Sequence, residues 1–117
     1  MSGLNDLGYF AGILDGEGSF FLETNKKQKK YIYIYPVISC EMTDFDVIES
    51  LKKFFKVGHI TKFQPRKKHY KISWRWRVRG EKAINTLKLC IKYFSIRRKE
   101  KANILIEHWK NRRNNVV

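Results

Sequence analysis

Two carboxylates, Asp15 and Glu17, stand on either side of Gly16 at the end of an otherwise apolar stretch, YFAGILDGEGSF at residues 9–20. Carboxylates and backbone carbonyls are hard oxygen donors, which are the ligands that Mg²⁺ takes in proteins. Paired divalent ions can activate a water molecule and stabilise the leaving oxygen when a phosphodiester is cleaved. Metal-assisted phosphodiester hydrolysis is therefore the first chemical hypothesis that these residues suggest.

The segment in front of the two acids has a helical period but contains an unusual number of glycines. Apolar residues recur at helical spacing from Leu4 to Leu14. Gly8, Gly12 and Gly16 follow one another at intervals of four, so they lie on one side of the helix. Each glycine in a helix interior costs about 0.5–1 kcal/mol relative to alanine. The close approach of a second helix backbone along this stripe would offset that cost, because small residues permit it.

This glycine stripe predicts a homodimer. No other segment of the chain carries a matching row of small residues, so the expected partner is the same helix of a second copy, related by two-fold symmetry. The two copies of Glu17 would then meet at the C-terminal ends of the paired helices, where the helix dipole disfavours a carboxylate and metal ions would compensate. The predicted interface residues are Gly8, Ala11, Gly12 and Asp15.

The remaining elements follow from strand alternation, helical periods and turn residues. The predicted strands are Ser19–Glu23, Tyr31–Glu41, His59–Phe63 and Tyr70–Arg79, and the second helix is predicted at Asp44–Lys56. A third helix is marked by Ile84, Leu87, Ile91 and Phe94, and a fourth by Ala102, Leu105, Ile106 and Trp109. The order αββαββαα predicts an α+β fold in which a curved, antiparallel four-stranded sheet has helices on one face and is open on the other. We expect the 117 residues, 1–117, to form a single domain.

The last predicted strand has one basic side. Because side chains alternate across a strand, Ile72, Trp74, Trp76 and Val78 share one side, and the other side carries Lys71, Ser73, Arg75, Arg77 and Arg79. Like charges in such a row repel one another unless an anion neutralises them. Arginine binds phosphate and guanine edges with two hydrogen bonds. We therefore favour nucleic-acid contact over a merely solvated surface.

Other segments extend this predicted interface. Tyr31, Tyr33 and Tyr35 lie together on one side of their strand, and a lysine-rich loop between the first two strands could reach along a phosphate backbone. The full set of predicted DNA-contacting residues is Lys26, Lys27, Lys29, Lys30, Tyr31, Tyr33, Tyr35, Ser39, Glu41, Arg66, Lys67, Lys71, Ser73, Arg75, Arg77 and Arg79.

The overall composition also indicates a nucleic-acid partner. Lys and Arg number 25 against 11 Asp and Glu, which gives a formal net charge of +14 and favours a polyanionic partner. Apolar residues make up 43% of the chain, so a disordered basic tail is excluded. No apolar run approaches the ~20 residues of a membrane span, and MSGLNDLGYF lacks a signal or transit pattern. We expect an intracellular protein that acts in the compartment of its own gene and has no membrane partner.

Residues Phe10–Gly18, FAGILDGEG, resemble the LAGLIDADG motif of homing endonucleases. Four residues match the motif and three are conservative replacements: Ala11, Gly12, Asp15 and Gly18 match, and Phe10, Ile13 and Leu14 replace similar residues. The αββαββα order and the basic sheet also agree with that family's fold. A single motif implies a homodimeric member, which cuts a long, near-palindromic duplex and is typically encoded by a mobile intron or intein.

The resemblance implies roles for the residues at the end of the first helix. Glu17 corresponds to the family's metal-binding acid, the carbonyl of Gly16 to its backbone metal ligand, and Asp15 to the acid that holds the paired helix ends together. The glutamate at position 17 departs from the aspartate of the motif and shifts the metal. The implied cofactor is Mg²⁺, with Mn²⁺ as the alternative.

Two further catalytic residues are implied by position. Asp44 falls where many relatives carry a polar residue that orders solvent at the scissile phosphate, and a simple role at the start of a helix is the alternative. Arg98 corresponds to the cation of the catalytic pocket, with Arg97 and Lys99 as alternatives, although lysine is more usual there.

Two other functions stay open. A nuclease-inactive protein of the same fold, either an RNA maturase with its host intron RNA as partner or a DNA-binding protein, is favoured by the glutamate at position 17. A monomeric RNA-binding sheet domain that stacks bases on the tyrosine row is the weaker alternative.

Overall fold

The described part of the chain forms four α-helices and four β-strands in the predicted order. The computed structural model describes residues 4–28, 31–66 and 71–112, and side chains within residues 6–24, 33–66 and 71–112. The elements are α1 (Leu4–Glu17), β1 (Gly18–Gln28), β2 (Tyr31–Met42), α2 (Phe45–Phe55), β3 (His59–Phe63), β4 (Ser73–Arg79), α3 (Glu81–Cys90), a 3₁₀ helix (Ile91–Tyr93) and α4 (Ile96–Lys110). The predicted α+β order αββαββαα is confirmed.

The strands form one antiparallel sheet in the order β1-β2-β4-β3. The inward side of the sheet carries fully buried apolar residues such as Ile38 and Trp76, and they pack with apolar residues of the helices. On the other side, Tyr33, Glu41 and Arg79 are exposed. The prediction of a sheet with helices on one face and an open opposite face is therefore confirmed.

The structure corrects the ends of two strands. β1 was predicted to end at Glu23, but it continues to Gln28 because its backbone stays paired with β2, with Asn25 opposite Tyr33 and a register shift before Gln28. β4 begins at Ser73, whereas the predicted strand began at Tyr70, which lies outside the described residues. Strand β3 ends opposite Ser73, and β2 ends opposite the next residue, so both partners of β4 end there.

The predicted third helix also ends earlier than the apolar period suggested. Helix α3 stops at Cys90, and Ile91–Tyr93 continues as a 3₁₀ helix before Phe94 takes an extended conformation. Phe94 is nevertheless buried, and its ring lies 5.1 Å from the ring of Phe20 on β1. Of the apolar residues that marked this helix, Ile84, Leu87 and Phe94 are buried and Ile91 is half-buried, although the backbone changes type within the segment.

Gly58 fixes the path of the chain from α2 into β3. It has a φ of +97°, which side chains rarely tolerate, and a Cβ there would lie 2.5 Å from Nε1 of Trp76. That indole nitrogen donates a hydrogen bond of 2.9 Å to the carbonyl of Val57. The close approach places the largest core side chain, Trp76, at the centre of the sheet. Within the described ranges, no helix has the length and apolarity that crossing a membrane requires.

Candidate functional site

Helix α1 passes directly into strand β1 and presents Glu17 at the junction. The helix ends at Glu17 and the strand begins at Gly18, where a Cβ would lie 2.6 Å from the carbonyl oxygen of Leu14. Only glycine fits this transition without a shift of the helix backbone. The tight turn leaves Gly16 and Glu17 exposed, so a charged carboxylate stands in solvent at the C-terminal end of the helix.

The negative charge of Glu17 affects the pKa of Cys40 on strand β2. Cys40 of β2 lies opposite Gly18, and it is almost fully buried. Burial raises the pKa of the Cys40 thiol to about 11, and the negative charge of Glu17 adds to the rise. The Glu17 carboxylate therefore lies near the end of the sheet at which β1 begins.

The donors at this helix end suit a hard divalent cation. The carboxylate of Glu17 is exposed, and the last carbonyls of an α-helix have no partner within the helix. These are oxygen donors, as Mg²⁺ requires. In the part of the chain that the structure describes, no cluster of three or more His, Cys, Asp and Glu side chains could hold a metal ion.

The predicted glycine stripe of α1 is only partly open. A Cβ at Gly12 or at Gly16 would meet nothing within 4 Å, whereas one at Gly8 would lie 3.7 Å from the ring of Tyr93. Ala11 is fully buried in its own core, so its prediction as an interface residue is corrected. The prediction placed Ala11 beside the glycines, but one helical step of about 100° turns it away from Gly12 and towards the sheet.

The open side of α1 is apolar around the two glycines. Tyr9 is 58% exposed, and its ring makes an edge contact with Phe10 at 5.0 Å between centroids. Ile13, one turn further along, is half-buried. Tyr9, Gly12, Ile13 and Gly16 together form what we term the open stripe of α1.

Asp15 is bonded within its own chain. Its Oδ1 accepts hydrogen bonds from the backbone N–H of Ser95 at 2.9 Å and from the Ser95 hydroxyl at 3.0 Å. Ser95 is the N-cap of α4 and makes no side-chain cap of its own, so Asp15 supplies negative charge to the start of that helix. In this structure Asp15 joins α1 to α4.

The hydrogen bonds between Asp15 and Ser95 place the start of α4, which carries the predicted cation Arg98, beside the end of α1. Arg98 lies in the first turn of α4, three residues after Ser95, and its guanidinium is 5.4 Å from the ring of Phe20 on β1. Arg98 is half-buried, whereas Arg97 and Lys99 are exposed. Arg97 and Arg98 both line an open cleft of about 550 Å³ between β1 and α4. Among the three predicted alternatives, Arg98 is the most constrained.

Asp44 is the N-cap of α2. Its backbone carbonyl accepts hydrogen bonds from Val47 and Ile48, but its exposed side chain makes no cap hydrogen bond. The carboxylate is therefore not engaged by the helix that it begins. Asp44 follows β2 at the end of the sheet where β1 starts, because Cys40 of β2 pairs with Gly18.

The outward face of the sheet is charged but is internally neutralised at its centre. Arg75 donates from Nη2 to Oε1 of Glu41 at 2.9 Å, and Arg77 donates from Nη2 to Oε2 of Glu23 at 2.6 Å. The expectation that an external anion must neutralise this row is thus corrected for Arg75 and Arg77. By contrast, Arg79 is exposed and forms no ion pair with any described residue.

The other predicted DNA-contacting residues differ in exposure and in whether their side chains are described. Glu41, Arg66 and Lys71 are exposed, Ser39 and Ser73 are half-buried, and Tyr33 and Tyr35 are exposed and half-buried respectively. Lys26, Lys27 and Tyr31 belong to described strands but their side chains are not described, while Lys29, Lys30 and Lys67 lie outside the described residues.

Sequence reasoning missed Glu23 and the aromatic rings beneath the arginines. Glu23 was taken only as the end of a strand, yet it pairs with Arg77 across the intervening strand β2. The ring centroid of Phe63 lies 4.3 Å from the Arg75 guanidinium, and that of Phe21 lies 5.7 Å from Arg77. The alternation of β1 puts Phe21 and Glu23 on one side, but only the strand order shows which arginine they reach.

A comparison with protein families identifies the fold. The LAGLIDADG endonuclease family matches residues 10–111, which is most of the chain. This chain belongs to the LAGLIDADG endonuclease family. The resemblance expected from FAGILDGEG is confirmed, and in this LAGLIDADG protein the motif comprises the second half of α1 and its junction with β1. No curated protein sequence matches the chain closely enough to be counted as a relative.

Solved structures of LAGLIDADG proteins have the same fold. The homing endonuclease I-CvuI, bound to the I-CreI target in 2 mM Mg, aligns with a TM-score of 0.74 at 16% identity over 95% of this chain and 69% of that one. The archaeal intron-encoded I-Vdi141I bound to DNA aligns at 0.74 and 21% identity, over 94% and 70%. The group I intron-encoded I-CeuI, also bound to DNA, aligns at 0.73 and 17%, over 98% and 58%.

Proposed function

We propose that this LAGLIDADG protein is a site-specific homing endonuclease that cuts both strands of a long, near-palindromic DNA target as a homodimer with divalent metal ions. The observation that carries the proposal is the exposed Glu17 carboxylate at the end of α1, directly beside the open positions Gly12 and Gly16. A second copy of α1 packed along the open stripe would bring a second Glu17 to the same place.

The proposed metal ligands are Glu17 and the carbonyl oxygen of Gly16. One chain contributes a single motif carboxylate here, because Asp15 is engaged by Ser95, so the symmetric copy completes the acidic pair. A bound Mg²⁺, or Mn²⁺, lowers the pKa of coordinated water and stabilises negative charge on the phosphodiester oxygens. The structure of I-CvuI in 2 mM Mg and another in 2 mM Ca support a divalent ion for this fold.

Two side chains of this chain would assist hydrolysis. Arg98, held near the helix end through Ser95 and Asp15, would donate to phosphate oxygens and stabilise the charge that builds up in the transition state. Asp44, with a carboxylate that the helix cap does not use, would order solvent at the scissile phosphate. These roles require that both residues face the DNA bound on the sheet.

The DNA would lie on the open face of the sheet. The exposed cations Arg66, Lys71 and Arg79 suit phosphate contacts, and the net charge of +14 supplies long-range attraction. The neighbours complexed with DNA support this choice of polyanion. The protein would act wherever its own gene resides.

The experiment is cleavage of a duplex that joins the two sequences flanking the protein's own gene, with any intron removed. The expected result is a double-strand break that needs Mg²⁺ or Mn²⁺ and disappears with a chelator. A folded protein that leaves this duplex intact with either ion, and that selects no cleavable site from a randomised duplex pool, would contradict the proposal.

The glutamate in place of the motif aspartate favours a second candidate, a maturase or DNA-binding protein without nuclease activity. The longer side chain moves the carboxylate relative to the Gly16 carbonyl. Binding assays with the host intron RNA and with duplex DNA distinguish the two. Tighter binding to the RNA, together with absence of cleavage, would favour the maturase.

A further inference from the structure

We propose that Glu23 and Glu41 are positioning residues that hold Arg77 and Arg75 on the sheet for contact with base edges and withhold them from phosphates. The inference rests on the proposed function, because it requires that duplex DNA occupy the open face. Two acids on a mainly basic surface would thus contribute to sequence discrimination.

The Arg75 side chain is fixed along one edge and on one face. Its Nε and Nη2 both donate to Oε1 of Glu41, at 3.1 and 2.9 Å, and its guanidinium lies 4.3 Å from the ring centroid of Phe63. The second oxygen of Glu41 accepts a hydrogen bond of 3.2 Å from the hydroxyl of Ser73. Glu41 is thus itself oriented, and the arginine is held by hydrogen bonds along one edge and by an aromatic face below.

The Arg77 side chain reaches across a whole strand to its partner. Arg77 lies on β4 and Glu23 on β1, with β2 between them, and the contact from Nη2 to Oε2 is 2.6 Å. Val37 of β2 lies on the same face and is fully buried. The Arg77 side chain is more enclosed than that of Arg75, with 24% of its area exposed against 35%.

Charge decides what these arginines can bind. A guanidinium paired with a carboxylate forms a group of zero net charge, and the carboxylate repels a nearby phosphate. A guanine edge carries no net charge, so the pair loses little attraction for it, and the hydrogens of Nη1 and the second hydrogen of Nη2 can still donate to O6 and N7. The carboxylate oxygens can in turn accept from the amino group of cytosine.

The remaining cations of the interface form the contrasting class. Arg66, Lys71 and Arg79 are exposed, and none of them has an ion-pair partner in the residues that the structure describes. Unpaired, exposed cations suit the phosphate backbone, where charge matters more than orientation. The structure therefore assigns base readout to the paired arginines and backbone attachment to the unpaired cations.

The test measures DNA binding by Glu23→Gln and Glu41→Gln, with Glu49→Gln as the matched control. Glu49 pairs with Lys53 on α2 at 3.2 Å, so the control removes the same charge and also breaks an ion pair, but not on the sheet face. Affinity for a random-sequence duplex is measured against salt concentration, and sequence preference is measured by selection from a randomised duplex pool. Thermal melting verifies that each variant is folded.

Removing the charge of Glu23 or Glu41 should leave its partner arginine free to contact a phosphate. We expect the slope of log affinity against log salt to steepen by about 0.9 per chain for Glu23→Gln and for Glu41→Gln relative to Glu49→Gln. We also expect each sheet variant to lose about tenfold of its preference at one base pair in each half-site, with the remaining positions unchanged.

Three results would overturn the positioning role of Glu23 and Glu41, and one of them would also overturn the proposed function. Equal slopes and an unchanged selected sequence in all three variants would overturn the positioning role while leaving the proposed function standing. An equal steepening in all three would show that net charge alone matters and would also overturn it. A wild-type chain that binds no duplex DNA would overturn the proposed function and this inference together.

Discussion

Two charged regions of this LAGLIDADG protein, the C-terminal end of α1 and the outward face of the sheet, differ in whether their charges are paired. At the end of α1, Glu17 is exposed beside two glycines that nothing in the described part of its own chain covers. At the centre of the sheet, Arg75 and Arg77 are already paired with acids of neighbouring strands and rest near aromatic rings. Among the described residues no cation forms an ion pair with Glu17, whereas Arg75 and Arg77 have Glu41 and Glu23 as partners.

The two regions become ordered by different means. Uncompensated charge and an open backbone stripe are features that a metal ion and a second helix would complete, so the helix end depends on assembly. Paired arginines keep their orientation in the free protein, so the sheet is organised before DNA binds. Variants in the two regions should therefore fail in different ways.

The largest effect is expected at the helix end. Glu17→Gln removes the proposed metal-binding charge and keeps the shape of the side chain, so the cleavage rate should fall about a thousandfold. Duplex affinity in Ca²⁺ should change by no more than about twofold, because the sheet is untouched. Glu107→Gln, an exposed acid on α4, is the control and should cleave normally. Cleavage by Glu17→Gln near the wild-type rate would remove this residue from the mechanism.

Arg98 should give the next largest effect. Arg98→Ala is expected to lower the single-turnover cleavage rate about a hundredfold, because a donor to the transition-state charge is lost. Arg98→Lys keeps the positive charge and should stay within about tenfold of wild type. If both variants cleave equally slowly, packing of the guanidinium near Phe20 is the important feature instead.

Gly12→Leu tests the open stripe without disturbing the monomer. A Cβ at this position meets nothing within 4 Å, so the variant should fold at least as stably as wild type. The larger side chain blocks close helix approach and should weaken dimerisation about 10- to 100-fold by sedimentation velocity. Asn103→Leu, on the exposed side of α4, should leave the association unchanged.

The smallest effect is expected at Asp15, which belongs to the helix end but is internally bonded. Asp15→Ala removes two hydrogen bonds to Ser95 and should lower the free energy of unfolding by about 1–2 kcal/mol. Ser95→Ala removes only the hydroxyl bond and should cost about half as much. Urea unfolding of both variants measures the difference. Equal losses would mean that the backbone N–H bond contributes little.

The sequence predicted most of the fold because its patterns are local. The alternation from Ser73 to Arg79 predicted which side of β4 is buried, and the glycine at position 18 predicted the end of α1. Ala11 lies four residues after Leu7 and three before Leu14, so helical spacing agrees with its burial. The pairing of Glu23 with Arg77 could not be predicted in this way, because it depends on the order of the strands.

Cross-linking through Tyr9→Cys is the most direct test of pairing between two copies of α1. This substitution adds no bulk to the open stripe, and the native Cys40 and Cys90 are buried, so the new thiol is the accessible one. With a short bifunctional maleimide, we expect a covalent dimer at twice 14.1 kDa for Tyr9→Cys and only monomer for the control Asn103→Cys. Monomer alone for both, or equal dimer for both, would contradict pairing through α1.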